Sequence, residues 1–386
     1  MLVRIDFVPR LLALVVLVLA GVSTARATPD AFEAAPGSLD SFHAALVEAR
    51  AGRGLARVSV YGASHTADDS YTSVLRRLLQ ARYGDGGPGW VMPASPFLFY
   101  DHAGVEFGGR GFAGFFVRGR QRRRAIYGLA GFALNASDGA HARVRTERVL
   151  PRVSIHYLSQ PGGGRVRMRL DGQQDWVVDT DAALAVRHAE REVELRELRL
   201  RVEGGPVRLF GVVLERSAGV VVDNFGVPGA RVWDQEPWRL DALRAEADER
   251  PADLLILAYG TNESANARVA LADVERRGRR ALRRLRALSP RASCLLVGPG
   301  DWPRRSRRGA LVPRPRLLGV RRVQRELARQ EGCAFFDTYA FMGGEGSMER
   351  WMARGLALDD HVHFTRAGAR RLGRALVRAL APLEDE

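Results

Sequence analysis

The sequence predicts an α/β protein, a doubly wound parallel sheet of five strands interrupted after its first helix by a β-sandwich insert. Three observations carry this expectation. Short apolar runs such as V-S-V-Y, L-L-I-L and L-L-V alternate with longer stretches of helical period, the pattern of the strand–helix units that build parallel sheets. From about Val105 to Ser217 the texture changes to alternation of polar and apolar residues, as in R-V-R-M-R-L and E-V-E-L-R-E-L-R-L-R-V, with G-G-G, D-G and G-G-P between segments. Period two with turn signals marks half-buried antiparallel strands. Finally, 386 residues with 46% hydrophobic content suffice to bury a core of this size.

Taken in order, residues 1–27 read as an export signal, with Arg4 and Arg10, the apolar run L-L-A-L-V-V-L-V-L-A-G-V and a small-x-small cleavage site at Ala25-Arg26-Ala27. The run is short of the ~20 apolar residues of a membrane span. The mature chain is therefore expected to begin near Thr28, exported to a periplasmic or extracellular compartment, without stable membrane insertion after cleavage. An uncleaved anchor is the alternative, since Phe7 and Val8 lengthen the run. Residues 28–56 hold a linker with Pro29 and Pro36 and a helix over Leu39–Arg50, with Ser38 as its N-cap. Strand one spans Arg57–Tyr61 and a helix follows over Tyr71–Tyr83, ending at the glycine run Gly84–Gly89. That run lacks the Lys-Ser/Thr of a phosphate loop and reads as a turn-rich connection, or else as a substrate-lining loop carrying Trp90.

The insert is placed at 106–217. Beyond it the alternation of strand and helix resumes, giving strands at Ala218–Gly226, Asp253–Leu257, Cys294–Val297 and Ala334–Phe336. Helices are expected over Pro237–Glu249, Ala267–Leu288, Arg314–Gln330 and Arg366–Leu380. No internal repeat is visible.

The formal charge of +15 would ordinarily suggest a polyanionic partner, yet all 59 basic residues are arginine. Such a bias accompanies GC-rich coding, so the charge argues only weakly for nucleic acid, and no nucleic-acid partner is expected. Arg118–Arg124 and the arginine-rich helix from Arg276 to Arg286 read as solvated faces.

The chemistry concentrates at strand ends. In V-S-V-Y-G-A-S-H-T, Ser64 follows a β-branched strand and Gly62, so a sharp turn would expose its hydroxyl. Near the C-terminus, D-H-V-H (Asp360 to His363) sets an acid three residues before a histidine, able to supply the other two members of a hydrolytic triad from one loop. Between them, N-F-G-V-P-G (Asn224 to Gly229) and L-L-I-L-A-Y-G-T-N-E (Leu254 to Glu263) emerge at the carboxyl ends of predicted parallel strands, where open α/β sheets place their ligands.

In this order, Ser64, Gly229, Asn262 and His363 make the sequence resemble the SGNH hydrolases, also called GDSL-type esterases. The resemblance covers 57–105 and 218–386, the expected hydrolase domain, and leaves the middle of the chain aside. It implies Ser64 as nucleophile, His363 as general base and Asp360 as the acid that orients it. Asp359 and His361 are the adjacent alternatives; the family spacing favours Asp360 and His363, and an extended D-H-V-H segment would turn both histidines the same way. By the same analogy the oxyanion is held by the amides of Ser64 and Gly229 and the side chain of Asn262, with Gly229 preferred to Gly226 on family spacing.

One departure stands out, since Ala63 occupies the place where the family usually has the aspartate of Gly-Asp-Ser. That aspartate is not the triad acid, so its loss removes a loop-shaping acceptor and leaves the proton relay intact. His65 reads as a turn or pocket residue. No metal or cofactor is expected, because no third ligand cluster accompanies His361 and His363.

Resemblance, export and insert together imply a serine esterase that removes acyl groups, acetyl first, from a carbohydrate or peptidoglycan. The alternatives are O-acetyl transfer and a catalytically silent carbohydrate-binding protein. The insert resembles carbohydrate-binding modules of bacterial O-acetyl esterases but shows no sugar-binding motif. Cys294 and Cys333 each head a predicted strand; if those strands are neighbours, as in the resembled fold, the sulfurs could form a disulfide at the end opposite the site, or serve as two small core residues.

Overall fold

The computed structural model describes residues 31–117, 126–171 and 173–381. The expected export signal at 1–27 and the arginine run 118–124 lie outside the described residues. In chain order the first elements are β1 (Phe32–Glu33), α1 (Asp40–Arg50), β2 (Leu55–Gly62), α2 (Ser64–Ala67) and α3 (Thr72–Tyr83). The insert strands follow as β3 (Gly89–Val91), β4 (Val105–Phe116), β5 (Phe132–Ser159), β6 (Arg165–Leu170), β7 (Trp176–Asp179), β8 (Ala185–Glu203) and β9 (Val207–Glu215). Then come β10 (Gly219–Gly226), α4 (Leu240–Glu249), β11 (Leu254–Ala258), α5 (Thr261–Ala265), α6 (Leu271–Leu288) and β12 (Ser293–Val297). A small hairpin, β13 (Arg304–Arg305) and β14 (Leu311–Val312), precedes α7 (Pro315–Gln330), β15 (Ala334–Phe336), α8 (Thr338–Met342), α9 (Ser347–Ala353) and α10 (Arg366–Leu380).

Strands β15, β12, β11, β2 and β10 run parallel in that order, as the five apolar runs predict, and the two-residue β1 adds an antiparallel edge to β15. Each parallel strand is covered on both faces, which is why its sequence is mostly apolar. Val58, Val60, Leu254 and Ile256 face α1, α3 and α10 through Phe42, Leu75 and Leu376, whereas Leu255, Leu257 and Leu296 pack with Leu282, Leu285 and Leu327 on the other side. Helix starts differ in detail from expectation. Leu39 rather than Ser38 is the N-cap of α1, with no side-chain cap, because Leu39 buries beside Phe42 and Leu46 while the Ser38 hydroxyl finds no partner. The helix expected over Ala267–Leu288 begins only at Leu271, as α6, and a separate short helix not expected from the pattern, α5, follows closely on the end of β11.

Cys294 in β12 and Cys333 before β15 form a disulfide with a Cα separation of 4.8 Å. The bond lies at the amino ends of the neighbouring strands, since Leu295 pairs with Ala334 just beyond it.

The antiparallel strands form one continuous seven-stranded sheet. Strand β5 is 28 residues long and doubles back, so that Leu209 of β9 pairs with Leu134 on one side and with Tyr157 on the other. Register shifts between Arg145 and Arg152 allow that bend. This sheet also takes in Gly89–Val91, upstream of the expected start at 106. Trp90 is therefore a joint between the sheets and lines no substrate loop: its indole donates to Phe210 O (3.0 Å) and its amide to Asp223 Oδ1 (2.8 Å). Beside it Arg250 bridges Asp223 at 2.8 Å and Glu215, a buried ion cluster tying the insert to β10.

Candidate active site

Three neighbouring strands end in one row. Gly62 of β2 stands opposite Gly226 of β10 and Ala258 of β11. Side chains cannot occupy this row where α2 sits on it: a Cβ on Gly62 would collide with Thr66, and one on Gly226 with the backbone of Ala67. Glycine at both positions thus lets α2 begin two residues after the strand, with Ser64 at its first position. Amides at a helix start have no intrahelical partner, which leaves the Ser64 N–H available.

His363 Nε2 lies 2.8 Å from Ser64 Oγ, and its Nδ1 lies 2.6 Å from Asp360 Oδ2. A carboxylate can only accept, so Nδ1 carries the proton and Nε2 is left to accept from the serine hydroxyl. The other oxygen, Asp360 Oδ1, accepts the amides of Val362 and His363, each at 2.9 Å. Partial burial pushes the Asp360 carboxyl up, but hydrogen bonds from the His363 amide and ring and the Val362 amide outweigh it and hold the group below its ordinary value. The three residues drawn from D-H-V-H and G-A-S are thus brought together.

The same aspartate turn corrects one expectation. The D-H-V-H segment is not extended: His361 has φ +60° and points away from His363, accepting from Arg305 at 2.9 Å and directing Nδ1 at Met352 Sδ, 3.0 Å away. Asp359 is exposed and takes no part.

His65 is neither a mere turn residue nor a pocket wall. Its Nε2–H donates to Val362 O at 2.8 Å and its ring packs on His363 with centroids 5.1 Å apart. Burial, aided by the neighbouring His363, lowers its pKa to about 4, so it serves as a neutral buttress for the histidine loop. A second clamp lies under α2. Asp69 is buried against Arg76 (2.9 Å) and Thr72, and the Asn224 amide donates to Thr66 O at 2.6 Å. The Asp69 carboxylate, though pushed up by burial, is held low by Arg76 and His102. Nothing in the local pattern of D-D-S-Y-T marks this clamp, because Asn224, which closes it, lies 155 positions away in the chain.

Val227 to Ala230 form a turn closed by Ala230 N to Val227 O at 3.0 Å. Pro228 and Gly229, the latter with φ +70°, occupy the central positions of a type II turn. The turn's hydrogen bond is made by the Ala230 amide and does not use that of Gly229. Asn262, in α5, donates through Nδ2 to Ala230 O at 2.9 Å, leaving the second amide hydrogen. Buried Glu263 locks the two loops, accepting Val232 N at 2.7 Å and Gly260 N at 2.9 Å. Gly229 and Asn262 are therefore on adjoining loops beyond the strand ends that carry Ser64. Among the described residues no group of three or more His, Cys, Asp or Glu could hold a metal ion.

This geometry defines a hydrolase of the doubly wound α/β class, and comparison with known proteins narrows it. A profile of the GDSL-like lipase/acylhydrolase family matches residues 198–371. A solved peptidoglycan O-acetylesterase superposes with TM-score 0.76 at 26% identity, covering 89% of this chain and 94% of its own. A catalytic mutant of an acetylxylan esterase from Geobacillus stearothermophilus (20% identity, 42% of this chain and 73% of that one, TM-score 0.32) and a family two carbohydrate esterase from Clostridium thermocellum (11%, 64% and 93%, TM-score 0.32) are more distant. No curated protein matches the sequence. Residues 198–371 are thus those of an SGNH/GDSL-type acylhydrolase, and the chain as a whole shares its fold with a solved O-acetylesterase.

Proposed function

We propose that the protein is exported and removes O-acyl groups, acetyl first, from a cell-envelope carbohydrate, with peptidoglycan as the substrate. In this reading Ser64 attacks the ester carbonyl while His363 takes its proton and returns it to the leaving sugar oxygen; Asp360 stabilises the imidazolium that forms. The amides of Ser64 and Gly229 and the side chain of Asn262 hold the oxyanion, each such donor contributing about 3–4 kcal/mol to transition-state stabilisation. Water then hydrolyses the acyl-serine by the reverse proton path. We assign the chemistry to 57–105 and 218–386 and glycan holding to the insert at 106–217. Residues 31–56 support the sheet, β1 at its edge and α1 on one face.

The observation that carries this reading is the unbroken line of hydrogen bonds from Asp360 through His363 to Ser64. The likeness to a peptidoglycan O-acetylesterase, which extends over most of the chain, supports the substrate. The Cys294–Cys333 disulfide supports an oxidising compartment, and among the described residues no helix is long and apolar enough to cross a membrane.

The test is acetate release from O-acetylated peptidoglycan and from acetylated xylan, with the Ser64→Ala variant as control. Release that is fastest from peptidoglycan and lost in the variant is the expected result. Release from neither polymer, or release undiminished in Ser64→Ala, would refute the proposal.

A further inference from the structure

We propose that the outward face of the insert sheet is a binding site for a carboxylate-bearing glycan strand, an inference that builds on the envelope-polysaccharide reading above. The face carries two adjacent cross-strand rows. Arg167 of β6 stands opposite Arg201 of β8, which stands opposite His141 of β5, which stands opposite Arg110 of β4. One step along, Arg169, Arg199 and Arg143 follow one another across β6, β8 and β5 and end on Gly108 of β4. Between them lies a cleft of about 800 Å³.

Like charges directly opposite one another destabilise a sheet. Elsewhere on the same ladders that cost is avoided, since Arg145 faces Glu197, Arg152 faces Glu192 and Arg165 faces Glu203. An arginine-rich composition accounts for arginine in place of lysine, but not for the stacking of arginine on arginine in two neighbouring rows. Four of the six arginines are neutralised from the side by Glu197, Glu203 and Asp175, and three carboxylates against six guanidinium groups leave the face positive and fit to meet anions.

The cleft also shows the form of anion it accepts. Glu197 takes both Arg143 and Arg199 at 2.6 Å, and Glu203 takes Arg167 through two nitrogens at 2.7 and 3.1 Å. The Arg167–Glu203 pair is a guanidinium fork on a carboxylate, the geometry for which arginine is suited. Among the described residues Arg110 has no anionic partner and Arg201 has only a longer-range attraction to Glu203; both are exposed. Gly108 keeps the β4 wall open, because a Cβ there would meet nothing within 4 Å. With strands about 4.8 Å apart, each row spans roughly 14 Å, enough to engage an extended chain at several points. The lining offers no Phe, Tyr or Trp on which bases could stack, His141 being its one aromatic ring. Its one aliphatic side chain of any size, Leu200, is buried, which disfavours a lipid surface. Peptidoglycan, whose stem peptides carry free carboxylates, fits what is there.

The experiment is co-sedimentation of the intact protein with purified, de-O-acetylated peptidoglycan, so that binding is scored without any ester to cleave. The Arg110→Gln/Arg201→Gln variant should bind about tenfold or more weakly, while its turnover of a small chromogenic acetyl ester stays at the wild-type level, which also reports correct folding. Should that double variant fold poorly, Arg110→Gln alone is expected to weaken binding severalfold. Wild-type protein should likewise lose binding to peptidoglycan whose carboxylates have been converted to neutral amides. Undiminished binding by the folded variants or to the amidated polymer would overturn the inference, as would tighter binding to duplex DNA than to peptidoglycan. Loss of acetate release with polymer binding intact would instead count against the esterase reading alone.

Discussion

Asp360 divides its two oxygens between two tasks, and replacing it with asparagine separates them. Oδ1 holds the turn by accepting the Val362 and His363 amides, while Oδ2 accepts the proton on His363 Nδ1. An asparagine can keep its carbonyl on the two backbone amides, which directs its NH2 at Nδ1. A donor there cannot face an N–H, so the imidazole must shift its proton to Nε2, and Nε2 can then no longer accept from Ser64. The loop remains folded but the base is in the wrong tautomer. A loss of about 10³ to 10⁴ in kcat follows, or roughly 4–5.5 kcal/mol of barrier at 1.36 kcal/mol per factor of ten. Asp360→Ala should be similarly inactive and should also lower the melting temperature, because it leaves the turn amides without their acceptor, a loss of about 1–2 kcal/mol. Steady-state turnover of a small acetyl ester together with thermal unfolding checks both claims. Asp360→Asn retaining more than a tenth of wild-type kcat would refute the assignment.

Asn262→Ala should reduce kcat by about 10² to 10³ through loss of one oxyanion donor, with a much smaller change in KM, measured on the same ester; a reduction under threefold would remove Asn262 from the oxyanion site. His102 is buried, donates to Pro88 O at 3.1 Å and has its pKa lowered by burial to about 4. Because the folded value lies below the unfolded one near 6.5, the unfolded chain binds more protons between these limits, so stability should rise with pH from about 4 to 6.5 and level off above. His102→Gln, which keeps a donor but cannot titrate, should flatten the dependence of melting temperature on pH in that window, and an unchanged slope would contradict this origin. The Cys294–Cys333 bond closes a separation of 39 residues, for which chain entropy gives about 4 kcal/mol. Reduction should therefore lower the denaturant midpoint while leaving ester turnover at native conditions intact, since the bond lies at the strand ends away from Ser64.

Much of this arrangement was legible in the sequence because parallel strands buried on both faces are apolar and end in small or polar residues. Ser64, Gly229, Asn262 and His363 each follow such a run or its last helix-linked loop, so their convergence follows once the strand order is known. What escaped was whatever depends on distant partners or on local breaks in period. The Asp69–Arg76–Asn224 clamp joins residues of similar unremarkable type separated by as many as 155 positions. His361 defies alternation because an aspartate side chain, by capping two amides, bends the segment. The continuous antiparallel sheet was hidden by the length of β5, since turn signals divide strands but bulges do not announce themselves, and a two-residue edge such as β1 lies below any periodicity. The arginine rows are visible in R-V-R-M-R-L only as outward positions; their stacking needs the register.

Covalent trapping addresses the central claim most directly. A fluorophosphonate reacts at a serine whose hydroxyl is activated by a neighbouring base. Peptide mapping should find the adduct on Ser64, with labelling abolished in Ser64→Ala and slowed at least a hundredfold in His363→Ala. An adduct on another residue, or labelling of Ser64 at full rate without the histidine, would contradict the account.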